Sequence, residues 1–170
     1  ILNKNINYKD IKDSKKIPFK QRIFLAKYIK DNSIYGIGSA SVKEIYKVNV
    51  LNASLLAMSR ALDKLKIKPS IAYIDGIFAP QNINLKFKTF IRGDENITCI
   101  SAASIVAKAT RDLFMINLAK KYPYYKWDSN FGYGTPAHLL GIKKHGITDH
   151  HRKKFKPVHN MLIIDKRETL

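Results

Sequence analysis

Apolar residues recur along this chain at two spacings. After Pro18, residues Ile23, Phe24, Tyr28 and Ile29 share one stripe, which predicts a helix from about Phe19 to Asn32. A longer stripe of Ile45, Val48, Leu51, Leu55, Met58, Leu62 and Leu65 predicts a helix from Val42 to Ile67, apolar face inward, closed by Lys68-Pro69. A third helix is expected from about Thr98 to Tyr122, where Pro123 breaks it. Its Ala102, Ala103, Ser104, Ala107 and Ala109 suit close approach to a sheet. A short fourth begins at Pro136, with Ala137, Leu140 and Ile142 inward, and ends at His145-Gly146.

The strand signals lie between these helices. Ile34 to Val42 alternates apolar with small residues, and Gly36 and Gly38 leave room for close packing. Ile71 to Ile74, between Pro69 and Asp75-Gly76, reads as a short buried strand. Lys86 to Ile91 alternates basic and apolar side chains and reads as a strand with one face covered. Tyr122 to Trp127 reads as an aromatic, basic loop. The basic stretch from His150 to Leu170 holds one apolar run, Met161 to Ile164, expected as a helix or strand packed at the edge.

At 170 residues and 45% apolar, the chain is long enough for one cored domain. A single cysteine, Cys99, excludes an internal disulfide and fits a reducing cytosol. No run is long enough to span a bilayer as a helix. Charge changes the picture most. Thirty-one Lys and Arg against thirteen Asp and Glu give a net charge of +18, a field that attracts polyanions. A biased composition accounts for part of the lysine but not for so few acids, so nucleic acid is the favoured partner. Charge alone fits equally a basic binding domain or an RNA-associated structural protein.

Two carboxylates stand where strands run out, Asp75 and Asp94. Ligands of open α/β sheets collect beyond strand ends. Two ionised carboxylates converging on a point suit a hard divalent cation, magnesium or manganese. Taken alone, Asp75-Gly76 reads more simply as a turn and Asp94 as a helix cap. The pair His150-His151 lacks the cysteine or acid spacing of a zinc site and is expected at the surface or facing phosphate. His138 is expected to be structural, and Asp112 to sit in a helix-surface or inter-helix salt bridge.

A wider set of motifs resolves the ambiguity at Asp75 and Asp94. Asp75-Gly76, then Arg92-Gly93-Asp94, then the run from Ile100 to Asp112 resembles the core of bacterial ribonuclease HII. Asp13-Ser14-Lys15-Lys16, Asn49 to Ala53 with Ala57-Met58, Gly132-Tyr133-Gly134-Thr135 with His138, and His151-Arg152 with Phe155 match in order over nearly the whole chain. The resemblance implies an α/β fold: a ribonuclease H-like mixed β-sheet flanked by helices, with a helical C-terminal extension. It implies one domain, about 1–125 forming the catalytic core and about 126–170 the substrate-binding extension.

The resemblance also implies a monomeric cytoplasmic endoribonuclease. It would use Mg2+ or Mn2+ to hydrolyse the RNA strand of RNA–DNA hybrids and to incise ribonucleotide-containing duplex DNA. Asp75 and Asp94 would be the catalytic metal ligands. Ser14, Lys15, Lys16 and Arg92 would contact phosphates, and Tyr133 would sense the junction between ribonucleotide and DNA. The family carries an Asp-Glu-Ala-Gly-Arg-Gly segment on a first strand before this point. This sequence opens at Ile1 without it, so a fragment holding half the site is expected, and a non-catalytic binding remnant is the alternative.

Overall fold

The computed structural model describes residues 1–160 apart from 8, 10, 12, 13 and 82. The apolar run at 161–164 and Asp13 of the first loop lie outside the described residues. The chain forms two compact units. One comprises 1–40 and 51–110, the other 41–50 and, of the described residues, 111 onward.

The first unit holds helix α1 (Phe19–Asp31), the strands β1 (Ile71–Asp75) and β2 (Lys86–Phe90), and the four-residue helix α3 (Gly93–Asn96). It shares α2 (Val42–Asp63) and α4 (Thr98–Lys121) with the second unit. The strands pair in parallel, Ile71 opposite Lys86 and Asp75 opposite Phe90. The Gly76 N–H donates to the Phe90 carbonyl at 2.8 Å and carries the ladder one residue past Asp75. The core joins Ile6, Ile11 and Ile17 of the N-terminal stretch, Leu25, Ala26 and Ile29 of α1, and Ala102, Ile105, Val106 and Ala109 of α4.

Several expectations change here. In α1 the inward face is Arg22, Leu25, Ala26 and Ile29, while Phe24 is exposed. The inward stripe runs through an arginine, because its guanidinium caps backbone carbonyls inside. Nη1 donates to Ile17 O at 2.6 Å and to Ser14 O at 3.2 Å. Residues 34–41 form no strand, since an extended segment needs a ladder partner and these residues lie against α2 instead. There Arg60 donates to Ser39 O at 2.7 Å and Lys64 to Ile37 O at 2.9 Å. The close packing expected of the glycines is present: a Cβ on Gly38 would stand 1.9 Å from Ala57 O, and one on Gly36 2.2 Å from Ala61 O.

Asn49 adopts φ 68° and breaks α2. Val48 and Leu51 are exposed, and Ala53 is the helix's one buried residue. In the sheet only Ile74 is buried, and β2 is exposed along both faces but for Phe90. Alternation marks which side chains can be covered; covering them takes another layer, and among the described residues the sheet has two strands. The small residues of α4 meet α1 in the core cluster, and Ala103 and Ala107 are exposed.

The second unit adds a 3-10 turn (Pro123–Tyr125), α5 (Trp127–Asn130), α6 (Pro136–His145) and helical backbone over 156–160. The aromatic, basic segment is thus ordered and partly interior. Tyr125 and Trp127 join Leu118, Ala119, Ile142 and Val158 in a second core cluster. Thr135 caps α6 by accepting from the His138 N–H at 3.3 Å. The buried face of α6 is His138, Gly141 and Ile142, with Ala137 and Leu140 outside. Gly141 is what lets α6 approach, since a Cβ there would meet Tyr124 O at 2.4 Å. No described helix is long and apolar enough to cross a membrane.

Candidate metal centre and nucleic-acid interface

In the first unit β1 delivers Asp75 at its C-terminal end, and its Oδ1 accepts the Gly93 N–H at 2.8 Å. Glycine fits there, since a Cβ would lie 2.5 Å from Ile100 Cδ1 and 3.1 Å from Phe90 Cβ. Arg92 turns the chain through the left-handed region at φ 52°, its carbonyl accepting the Glu95 N–H at 3.1 Å. Asp94 follows at once. The first carboxylate is thus tied to the backbone beside the second.

Asp94 is 4% exposed, and two groups fix it. Ser101 of α4 donates its hydroxyl to the Asp94 carbonyl at 2.7 Å. The Lys15 ammonium reaches Asp94 Oδ2 at 3.1 Å. The donors of both carboxylates are oxygen, with the Lys15 ammonium standing on Asp94 Oδ2. The two groups therefore fit a hard divalent ion. Among the described residues no cluster of three or more His, Cys, Asp or Glu side chains forms.

The predicted phosphate contacts divide. Lys15, Lys16 and Arg92 are exposed. Ser14 is 2% exposed, and its hydroxyl shares a hydrogen bond with Ser104 Oγ at 2.8 Å. As folded, that hydroxyl anchors the loop to α4 and does not face outward. Arg22, Ser101 and Ser104, which hold this loop and Asp94 in place, were not legible as site residues. The only signal for Arg22 was its i, i+3, i+4, i+7 spacing with Leu25, Ala26 and Ile29.

Tyr133 belongs to the second unit, where it sits on a built turn. Gly132 has φ +81°, and a Cβ there would meet Met115 Cε at 3.0 Å. The Asn130 side chain accepts the Gly132 N–H at 2.8 Å, and the Asn130 carbonyl accepts the Tyr133 N–H at 2.9 Å. The ring is 58% exposed, with the Arg111 guanidinium carbon 5.5 Å from its centroid.

Beneath this turn lies a buried polar cluster that the sequence did not reveal. Trp127 Nε1–H donates to His138 Nε2 at 3.0 Å, and His151 Nε2 stands 3.2 Å from the same nitrogen. His138 is buried, at 6% exposure. His151 is not at the surface as expected: it is 4% exposed, and its Nδ1 accepts the Thr148 N–H at 2.9 Å. Burial and the neighbouring His138 lower its pKa from 6.5 to about 4. His150, next in sequence, is exposed. Asp112 is fully buried, and Arg111 Nη1 lies 4.0 Å from its Oδ1, the ion pair expected of these neighbours.

A family model described as Ribonuclease HII matches residues 3–158. Ribonuclease HII from Pelagibacter ubique (strain HTCC1062) is 54% identical over 162 residues, covering 95% of this chain and 87% of that protein. Ribonuclease HII from Neisseria meningitidis serogroup B (strain MC58) is 40% identical over 163 residues, covering 95% of this chain and 84% of that protein. The crystal structure of ribonuclease H2 from Pyrococcus horikoshii OT3 superposes with a TM-score of 0.73 at 22% identity, covering 93% of this chain and 82% of that one. This last likeness shows the fold, a ribonuclease H-like α/β architecture.

Proposed function

The chain belongs to the ribonuclease HII family, and from that membership we propose that it is an endoribonuclease acting on the RNA strand of RNA–DNA hybrids and on single ribonucleotides embedded in duplex DNA. The observation that carries the reading is that Asp75 Oδ1 accepts the N–H of Gly93, the residue next to the buried Asp94. A protein that only bound phosphates would have little use for two such carboxylates in so basic a chain.

Asp75 and Asp94 would hold Mg2+ or Mn2+, which when bound supplies neutralisation of the phosphate oxygens and a coordinated water of lowered pKa. The chain's own residues bind and orient the substrate. Lys15, Lys16 and Arg92 present cations to the phosphates on either side of the scissile bond and set the register of the strand. Ser14, bonded to Ser104, holds the loop that carries the two lysines. Hydrolysis adds water at phosphorus and breaks the bond to the 3′ oxygen, on the 5′ side of the ribonucleotide. The products are a 3′-hydroxyl and a 5′-phosphate. Tyr133 offers an exposed face for stacking at the junction, and such stacking contributes ~1–3 kcal/mol per base.

This reading assigns the carboxylates to a catalytic core of about 1–125 and Tyr133 to a substrate-binding extension of about 126–170. It places a monomeric protein in the cytoplasm, acting in DNA replication and repair. The net charge of +18 supports a polyanionic substrate. The test is Asp94→Asn in the chain. Cleavage of a hybrid should fall by orders of magnitude while the dissociation constant for the hybrid moves by less than about threefold, because the two carboxylates serve the reaction more than the encounter. Parallel loss of binding and rate would contradict the metal-ligand role.

A further inference from the structure

The buried cluster under the Gly132-Tyr133-Gly134 turn has only one arrangement of protons. The Tyr133 carbonyl can only accept, and His138 Nδ1 lies 2.9 Å from it, so that nitrogen carries a proton. His138 Nε2 is then bare and accepts from Trp127 Nε1–H. The Thr148 N–H can only donate, so His151 Nδ1 is bare and its Nε2–H points at His138 Nε2. The two rings thus take opposite tautomers, and the lowered pKa of His151 agrees with its place.

The network has one outlet. Trp127 of α5, His151 of the segment after α6 and His138 of α6 converge on one nitrogen. The only proton His138 has to give goes to the Tyr133 carbonyl. Trp127, His138 and His151 are all buried, where apolar side chains would fill the space without the cost of satisfying four ring nitrogens and an indole N–H. Asn130 holds the N–H side of the turn above, and His138 holds a carbonyl on its other side. Gly134 has no atom within 4 Å of a Cβ position, and Gly132 takes a positive φ. The Tyr133 carbonyl accepts twice, from His138 and from the Thr135 N–H at 2.8 Å.

We propose that His138 is a positioning residue for Tyr133, locked by His151 and Trp127 into the one tautomer that can hold the turn, so that this pair sets how well the protein tells a ribonucleotide junction from plain DNA. The proposal rests on the reading of Tyr133 as a substrate contact.

Two variants separate the role from simple packing. In His138→Asn the side-chain amide can still donate where Nδ1–H did. In His138→Gln an oxygen can still accept where Nε2 did, but no donor faces Tyr133. Affinity is measured for a duplex with one ribonucleotide and for the same duplex in all DNA, beside thermal unfolding. H138Q should lower the preference for the ribonucleotide duplex by about fivefold or more, the lower end of one lost stack, while H138N keeps it within twofold. Binding to all-DNA duplex should be unchanged in both. Added to Tyr133→Ala, H138Q should cause no further loss of preference, since both act through one ring.

H138Q with wild-type preference would overturn the proposal. So would H138N and H138Q losing preference equally and in step with stability. Additive losses in the double variant would do the same. A wild-type protein with no preference for the ribonucleotide duplex would overturn the underlying reading of Tyr133 itself, a different result from these.

Discussion

Acidification should destabilise this protein through His151. Its ring is buried and neutral, with its pKa lowered from 6.5 to about 4. Between those values the unfolded chain binds a proton that the folded chain refuses. Stability is therefore full above about pH 6.5 and falls as pH drops toward 4. Linkage gives an upper bound of about 2 kcal/mol lost between pH 7 and pH 5. That bound corresponds to at most about 4–8 °C in Tm for a chain of this size.

The groups facing the ring support that sign. His138 lies at 3.2 Å, and protonating either ring would set two donors against each other. His150 adds repulsion, and Trp127 and Tyr125 pack at ring separations of 5.2 and 4.8 Å. Burial raises the Tyr125 phenol pKa, so that group stays neutral throughout the window. The assay is denaturant unfolding at pH 7 and pH 5 for the wild type and for His151→Gln, which cannot titrate. The variant should start less stable and lose less on acidification. Equal losses in both proteins would refute a neutral, buried His151.

Other substitutions test other parts of the structure. Gly38→Ala forces a Cβ to within 1.9 Å of the Ala57 carbonyl and should cost about 1–3 kcal/mol; an unchanged denaturation midpoint would contradict the packing of 34–41 on α2. Tyr133→Ala should weaken binding to the ribonucleotide duplex by about 1–3 kcal/mol while Tyr133→Phe keeps it, as read by fluorescence anisotropy. Lys15→Met should reduce the slope of log affinity against log salt by about one, and an unchanged slope would remove Lys15 from the phosphate contacts.

Much of the fold was legible because helices announce themselves. Pro18, Pro123, Thr135-Pro136 and Gly146 mark real helix ends, and the bounds of α1, α4 and α6 lie within a residue or so of those expected. Burial was less legible. In α1 and α6 polar residues occupy the inward face, Arg22 and His138, because each donates to a backbone carbonyl inside. Periodicity that counts only apolar residues therefore rotates the helix by part of a turn and places Phe24 and Leu140 inside. The extended reading of 34–41 failed for a related reason. Alternation says nothing about whether a neighbouring strand exists.

The candidate carboxylates are marked by the motifs around them, and their supports were hidden. Asp75 ends β1 and Asp94 lies in α3, after the strand β2. What holds Asp75 is a backbone N–H of Gly93, and what holds Asp94 is a serine within a run of small residues that reads as packing. Tyr133 is marked by its flanking glycines. The histidines beneath it are far apart in sequence, and only folding makes them a pair.

The most direct test uses duplex DNA with a single ribonucleotide, labelled at its 5′ end and incubated with the protein in Mg2+, in Mn2+ and in EDTA. The reading of Asp75 and Asp94 predicts metal-dependent incision on the 5′ side of the ribonucleotide, leaving a 3′-hydroxyl, with none in EDTA or with Asp75→Asn. Firm binding without incision under any metal would contradict it and leave a protein that holds hybrids without cutting them.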